Sequence, residues 1–499
     1  MDPVVQTRAG PVRGTVTDAA NVFKGIPYAA APFGPNHLRP PQPVEPWTGV
    51  RDALAFGPKP PQLAWPPQIA ALLPELAEPG EDCLTLNIWS RDLSSAKQPV
   101  MVWIPGGAFQ YHGTGAAPCY DGTHFARDGV VCVTINYRVG ALGFLYLGDG
   151  AANLGLLDQI AALQWVRGNI AAFGGDPENV TVFGESAGAM SIGMLLSMPR
   201  AKGLFRRAIA QSGAAHHVSS ADSARRVAQR LAERLGVEAM RDAIAAIPVD
   251  RVLQAQAELN VDLLANRDSQ RWGADVVSTM LPWQPVIDGD VIPARPIDRI
   301  GTGASADVDL LIGTNTDEHR LFLVSVGAID HVTNVALAAA VAAYGLPVEA
   351  TLAAYRQMHP DARTPGDLFA AIQNDWYWRL PAIRLADAHA ASAASAATYM
   401  YEFAWRSPQF GGRLGACHAL EVPFVFDTLG RATEPLLGGN PPQPLADTMH
   451  AAWVAFATNG DCGWPKYDLG RRATMRFDAT SKVVDDPRAA ERALWESVR

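Results

Sequence analysis

The chain has 499 residues, 48% of them hydrophobic and 18% charged, with a formal net charge of −9. That length holds a large core, and the composition is that of an ordinary globular protein rather than a disordered one. The acidic balance, without any basic cluster or charge run, argues against nucleic acid or an anionic membrane as partner and leaves a small molecule.

The amino end carries no basic region followed by an apolar stretch, and from Val4 it already reads as a strand, so export is not expected. Cys83, Cys119, Cys132, Cys417 and Cys462 form no CxxC pair and are too scattered for a disulfide framework, which points to reduced thiols and a cytoplasmic protein. No apolar stretch is long enough to cross a bilayer, and no repeat period appears. A single unit spanning residues 1–499 is expected, monomeric or weakly homo-oligomeric.

In chain order, residues 12–16, 22–28 and 84–89 read as antiparallel strands separated by Gly and Pro turns. Two Pro-rich stretches, 40–46 and 58–67, interrupt them, and residues 69–78 have the pattern of a short amphipathic helix in a loop overhanging a pocket. Trp65 in this loop is either a lid residue or an aromatic packed beneath it. From residue 100 the texture changes. Short apolar runs at 100–104, 130–136, 180–184, 208–211, 308–313 and 398–403 alternate with helical stretches such as 153–170. Strands of this kind between helices imply an α/β fold, a mostly parallel sheet with helices on both faces. Ala- and Leu-rich helical segments, notably 222–235 and 335–344, lie in insertions at about 214–305 and 325–395 that would wall a pocket at the carboxyl edge.

The loop after the 100–104 strand, Pro105-Gly106-Gly107-Ala108-Phe109, is made of small residues that let backbone N–H groups approach a substrate oxygen. The stretch from Asn179 to Met190 runs from a β-branched strand through Gly184-Glu185-Ser186-Ala187-Gly188 into a small-residue helix. That pattern is a nucleophile elbow: the glycines let the turn close, and Ser186 projects above the sheet at a helix amino end. With the N–H of Ala187, those of Gly107 and Ala108 make a three-donor site for an oxygen that becomes negative in acyl transfer.

A serine hydroxyl needs a base, and usually a carboxylate to orient it. Asp317 and Glu318 follow the 308–313 strand, and position alone does not choose between them. Among the later histidines, His331, His359 and His389 lie in polar or helical surroundings, and His450 sits in the helical pattern of 445–457. His418 ends the Gly-rich loop 411–418 before the apolar run 422–426, a setting that presents an imidazole to a cleft.

At this point the chain resembles the type-B carboxylesterase and cholinesterase family of α/β-hydrolases. The motifs, in order, are Phe23-Lys-Gly-Ile-Pro-Tyr28, Arg39-Pro-Pro41, Glu45-Pro-Trp-Thr-Gly49, Glu81-Asp-Cys-Leu-Thr-Leu-Asn-Ile-Trp89 and Asn136-Tyr-Arg-Val-Gly140. They continue with Asn153-Leu-Gly-Leu-Leu-Asp-Gln159, Phe173-Gly-Gly-Asp-Pro177, Phe183-Gly-Glu-Ser-Ala-Gly188, Gln211-Ser-Gly213 and Trp453-Val-Ala-Phe-Ala457. The resemblance implies the α/β-hydrolase fold and a serine carboxylesterase acting on small to medium carboxylic esters through an acyl-enzyme, with no metal or organic cofactor. It implies Ser186 as nucleophile, Glu318 as acid, His418 as base, and Gly107, Ala108 and Ala187 as oxyanion donors. It also implies Ser212 as a support of the triad, Leu321 and Phe322 as pocket wall, and Glu185 as a buried acid beside the nucleophile. Gly106, Phe109 and Met190 complete the expected pocket. Cleavage of carbamates or amides by the same residues is the alternative activity, and a non-catalytic binding protein the alternative from outside enzymology.

Three positions depart from the family pattern. Pro105 stands where the family has histidine and Ala108 where it has glycine, so the loop must be held differently and its methyl narrows the oxyanion site. His319 replaces the usual glycine after the acid. Cys83 matches a cysteine that is bridged in secreted members, yet residues 56–62, where its partner would lie, contain none.

Overall fold

Short apolar runs joined by helices cannot close as hairpins, so they pair in parallel through crossover connections. The computed structural model, which describes residues 2–498 except 18, 95, 96, 393, 394 and 497, has this arrangement. Its main sheet has 11 strands. In chain order they are β1 Thr15–Val16, β2 Asn21–Pro27, β3 Thr85–Ser90, β4 Gln98–Ile104, β5 Val131–Ile135 and β6 Gly175–Glu185. Then follow β7 Arg207–Gln211, β8 Asp309–Asn315, β9 Thr398–Phe403, β10 Ala473–Phe477 and β11 Lys482–Asp485.

Across the sheet the order is β11-β10-β9-β8-β7-β6-β4-β5-β3-β2-β1, with β4 to β10 mutually parallel and both margins antiparallel. Register brings Glu185 of β6 opposite Gln211 of β7, and Gln211 opposite Gly313 of β8. The carboxyl ends of β6 and β7 therefore finish level, β8 runs on to Asn315, and the site is built on these ends.

Alternate side chains of each strand enter opposite layers of the core, as the period of two demands. Val100, Val102 and Ile104 pack with Ile160, Leu163 and Val166 of the helix Leu154–Asn169 and with Ile192 of the helix Ala187–Leu195. Met101, Trp103 and Phe183 pack on the other face with Phe125 and with Met449, Trp453 and Phe456 of the helix Gln443–Asn459. Within the first layer Arg138 and Asp158, 1% and 0% exposed, form a bidentate pair at 2.8 and 2.6 Å.

Several boundaries differ from expectation. The run 12–16 is split at Gly14: Pro11–Arg13 joins a separate sheet with Val4–Gln6 and Arg51–Asp52, while Thr15–Val16 joins the main one. The helix expected over 69–78 is only Pro67–Ala70, because Pro74 cannot continue it. The apolar run 422–426 is a helical turn, Val422–Val425. β10 and β11 were not anticipated; they are short, and only their neighbours identify them. The inserted regions are helical: Ala221–Leu235, Val249–Ala265 and Ala274–Thr279 in the first, Asn334–Ala343, Val348–Met358 and Pro365–Asn374 in the second, of which residues 393 and 394 lie outside the described residues. A π-helical turn, Asp375–Arg379, follows Asn374. The five cysteines are free thiols, and among the described residues no single helix is long and apolar enough to cross a membrane.

Candidate active site

β6 runs straight into the turn at Ser186, whose φ of 58° and ψ of −125° lie in a region that L-residues avoid. A Cβ on Gly184 would come within 2.6 Å of Ile104 O, and one on Gly188 within 2.0 Å of the same atom. Both positions thus require glycine, since the elbow is pressed against β4. Hydrogen bonds from Ser186 N to Gln211 O (2.9 Å) and from Met190 N to Ser186 O (2.8 Å) hold a conformation that costs on the order of 1–3 kcal/mol.

The two carboxylates in the loop after β8 turn in different directions. Glu318 is fully buried; Oε1 accepts from Asn315 N at 2.7 Å and Oε2 lies 2.6 Å from His418 Nδ1. Asp317 turns the other way, accepting from Ala416 N at 3.0 Å and pairing with Arg320 and Arg406, each at 3.4 Å. Of the remaining histidines, His389 bonds Thr398 and Val308 O, His450 bonds Val425 O, and His359 pairs with Glu491.

The other nitrogen of His418 holds the main surprise. Nε2 lies 2.9 Å from Glu185 Oε1, and among the described residues no hydrogen bond joins Ser186 Oγ to His418. Burial alone would lower the pKa of this imidazole, but the carboxylates of Glu185 and Glu318 on either side raise it to about 10. Trp378 and Phe322 cover the ring, with centroids 4.2 and 5.4 Å away. Beneath it lies a third carboxyl, Glu421, pushed up to about 8 by burial and by the charges of Glu185 and Glu318. It accepts from Asn315 Nδ2 at 2.6 Å and Gln211 Nε2 at 3.2 Å.

The loop after β4 folds back against the elbow. Gly107, Ala108 and Phe109 have φ of 104°, 54° and 58°, and a Cβ on Gly106 would meet Ser186 Cβ at 3.0 Å. The N–H groups of Gly107, Ala108 and Ala187 donate to no acceptor among the described residues. Tyr137 Oη donates to Pro105 O at 2.8 Å and so anchors the loop at its proline.

Ser186 opens onto a cavity of about 1260 Å³. Gly106, Met190, Leu321 and Phe322 line it, together with side chains of both inserted regions such as Leu263, Val277, Ala340 and Phe369. The π-helical turn adds Trp376, Tyr377 and Trp378. Phe109 does not line the cavity: it is fully buried against Phe144, because the positive φ at Ala108 and Phe109 turns its side chain inward. Ser212 Oγ is buried without a hydrogen-bond partner among the described residues, so it holds none of Ser186, Glu318 and His418 in this structure. Trp65 lines the cavity, and its ring stacks on Tyr111 at 4.2 Å.

The profile of the carboxylesterase family matches residues 1–495. The chain belongs to the carboxylesterase family. It is 38% identical to the para-nitrobenzyl esterase of Bacillus subtilis (strain 168), over 98% of this chain and 97% of that one. It is 36% identical to the phenmedipham hydrolase of Pseudarthrobacter oxydans, over 98% and 96%. The solved structure of Geobacillus stearothermophilus carboxylesterase EST55 superposes with a TM-score of 0.85 at 38% identity, covering 99% of this chain and all of that one. The fold is accordingly that of an α/β-hydrolase.

In this carboxylesterase-family chain His319 stands in the cavity wall among Phe322, Phe369 and Tyr377, its pKa lowered to about 4 by burial and by His418. It is therefore neutral and adds no charge beside Glu318. Sequence reading missed Glu421, Asn315 and Trp378. Glu421 was detectable as an acid three residues beyond His418, whereas nothing local distinguishes Trp378.

Proposed function

We propose that this chain hydrolyses carboxylic esters with Ser186 as nucleophile, His418 as base, Glu318 as the acid that orients it, and the N–H groups of Gly107, Ala108 and Ala187 as oxyanion donors. One observation carries the reading: the strained Ser186 and His418, whose Nδ1 lies 2.6 Å from the buried Glu318, line one cavity. The step requires the neutral form of His418: once Nε2 has released its proton to solvent and exchanged Glu185 for Ser186 as partner, Ser186 Oγ attacks the ester carbonyl while its own proton passes to Nε2. The tetrahedral oxyanion then falls toward the three free N–H groups, each worth about 3–4 kcal/mol of transition-state stabilisation. Collapse expels the alcohol, protonated by His418, and leaves an acyl-enzyme that water cleaves by the same proton route.

The wall favours an apolar acyl or alcohol group, since Phe322, Phe369, Trp376 and Tyr377 face the cavity. The test is turnover of a para-nitrophenyl ester chain-length series by the purified protein, before and after an organophosphate, with the labelled peptide identified. Turnover that is lost on stoichiometric labelling of Ser186 is expected. Near-normal turnover by a folded Ser186→Ala variant refutes the assignment.

A further inference from the structure

Buried charges lie at both ends of the turn that covers His418. The π-helical turn Asp375–Arg379 closes through Leu380 N donating to Asp375 O, and its three middle residues, Trp376, Tyr377 and Trp378, line the cavity. Asp375 and Arg379, 0% and 3% exposed, do not line it. Arg379 Nε donates to Asp375 Oδ1 at 2.6 Å and so ties the two ends together. Residues distant in the chain complete the cluster. Arg379 Nη2 donates to Glu491 Oε2 at 3.1 Å, on the helix Ala489–Leu494, and Tyr355 Oη donates to Asp375 Oδ2 at 2.6 Å. Tyr355 Oη accepts in turn from Trp495 Nε1 at 2.8 Å, and Arg488 lies 3.5 Å from Glu491 and 4.0 Å from Asp375. Burial raises the Asp375 carboxyl, but Arg379 and Arg488 outweigh it and hold it below its ordinary range, so it stays charged.

The turn is also the junction between two cores. Trp378 and Ala382 pack in the first layer of the sheet, whereas Ile372 and Leu380 pack with Tyr355 and Trp495 in a separate core of the second inserted region. Apolar contact is non-directional and lets such a junction slide, while charged hydrogen bonds have fixed lengths and directions. Buried ion pairs add little net stability over apolar side chains of the same volume, so packing alone does not explain this cluster. A π turn is itself rare and occurs most often at functional sites. Here the residue beside Arg379 is Trp378, whose ring centroid lies 4.2 Å from that of His418.

We infer that Asp375, Arg379 and Glu491 are positioning residues: their buried ion cluster holds the π-helical turn in the register that seats Trp378 over His418, so that the helix Ala489–Leu494 acts on the base through the cavity wall. The inference rests on the reading of His418 as base. Besides Trp378 and Phe322, the ring faces Glu185 at the end of β6 and Glu318 and His319 in the loop after β8, with Glu421 beyond the two glutamates. The two anions hold the imidazole above its value in water, so water admitted beneath a displaced indole should bring it back toward 6.5.

The experiment records kcat/KM for para-nitrophenyl butanoate against pH in wild type, Arg379→Met, Arg379→Lys, Trp378→Leu and the double variant Arg379→Met/Trp378→Leu, each checked for folding by circular dichroism. Arg379→Met keeps the length of the side chain without its charge and should lower the midpoint of the profile by about one unit. Arg379→Lys, which returns the charge, should recover part of that shift. Trp378→Leu should lower the midpoint by a similar amount, and the double variant should shift no further than Trp378→Leu alone, since Arg379 acts through the indole. An unchanged midpoint in folded Arg379→Met, or additive shifts in the double variant, overturns the inference; a merely structural cluster would lower the rate and leave the midpoint in place. If Arg379→Met does not fold, Tyr355→Phe, which removes only the hydroxyl that donates to Asp375, replaces it under the same criteria. Absence of turnover by wild-type protein would instead overturn the esterase reading itself.

Discussion

Replacing Glu185 by glutamine should move the acid limb of the activity profile to lower pH. In the structure the imidazole of His418 sits between Glu318 at 2.6 Å and Glu185 at 2.9 Å, and the two anions raise it to about 10. With His418 as the proposed base, catalysis requires the neutral ring, so kcat/KM should rise with pH through this titration. Unit charges about 4 Å apart attract by roughly 4 kcal/mol at an effective dielectric of about 20. At about 1.36 kcal/mol per pH unit, removing one anion is worth about three units. The glutamine oxygen still accepts a hydrogen bond from Nε2 and returns part of this, leaving a downward move of about two units. The assay is kcat/KM for para-nitrophenyl butanoate across the pH range, with the uncatalysed alkaline rate subtracted. The variant should also lose stability. A proton held more tightly in the native state stabilises it fully below about pH 6.5 and progressively less as pH rises toward 10, so the deficit should be largest in acid. A midpoint that stays in place, or rises, would refute the argument that Glu185 charges the imidazole.

Glu318→Gln should lower kcat by up to about four orders of magnitude, as loss of the orienting carboxylate does in such triads, whereas Asp317→Asn should retain most activity because Asp317 faces Arg320 and Arg406. Steady-state kinetics on one ester distinguish them, and equal losses would contradict the loop geometry. Gly188→Ala should destabilise the fold by at least about 3 kcal/mol, since its Cβ would sit 2.0 Å from the backbone oxygen of Ile104. Gly129→Ala meets no atom but carries a φ of 84°, so its denaturation midpoint should fall only by the equivalent of about 1 kcal/mol. Glu421 holds its proton more tightly when folded, so wild-type stability should fall as pH rises from about 4.5 to about 8, and Glu421→Gln should flatten that fall. Urea midpoints measured at both ends of the window decide this; parallel slopes would show that Glu421 does not carry the effect.

The sequence alone determined the parallel sheet and the elbow, because both rest on interactions between near neighbours. β-branched runs, the helical period between them and the glycines flanking Ser186 act within a few residues, and the Thr398–Phe403 strand was legible to the residue. The 69–78 helix failed where a single local rule, the proline at position 74, outweighed the periodicity. Only the tertiary structure decided which of two adjacent carboxylates meets an imidazole 100 residues away, that Phe109 turns into the core, and that Glu421 reaches Gln211 across 210 residues of chain. It also decided that Glu185 faces His418 Nε2 and that His112 meets Glu75. Those outcomes depend on the direction a loop takes after its strand ends, which is set by packing against distant elements and not by the residues of the loop itself.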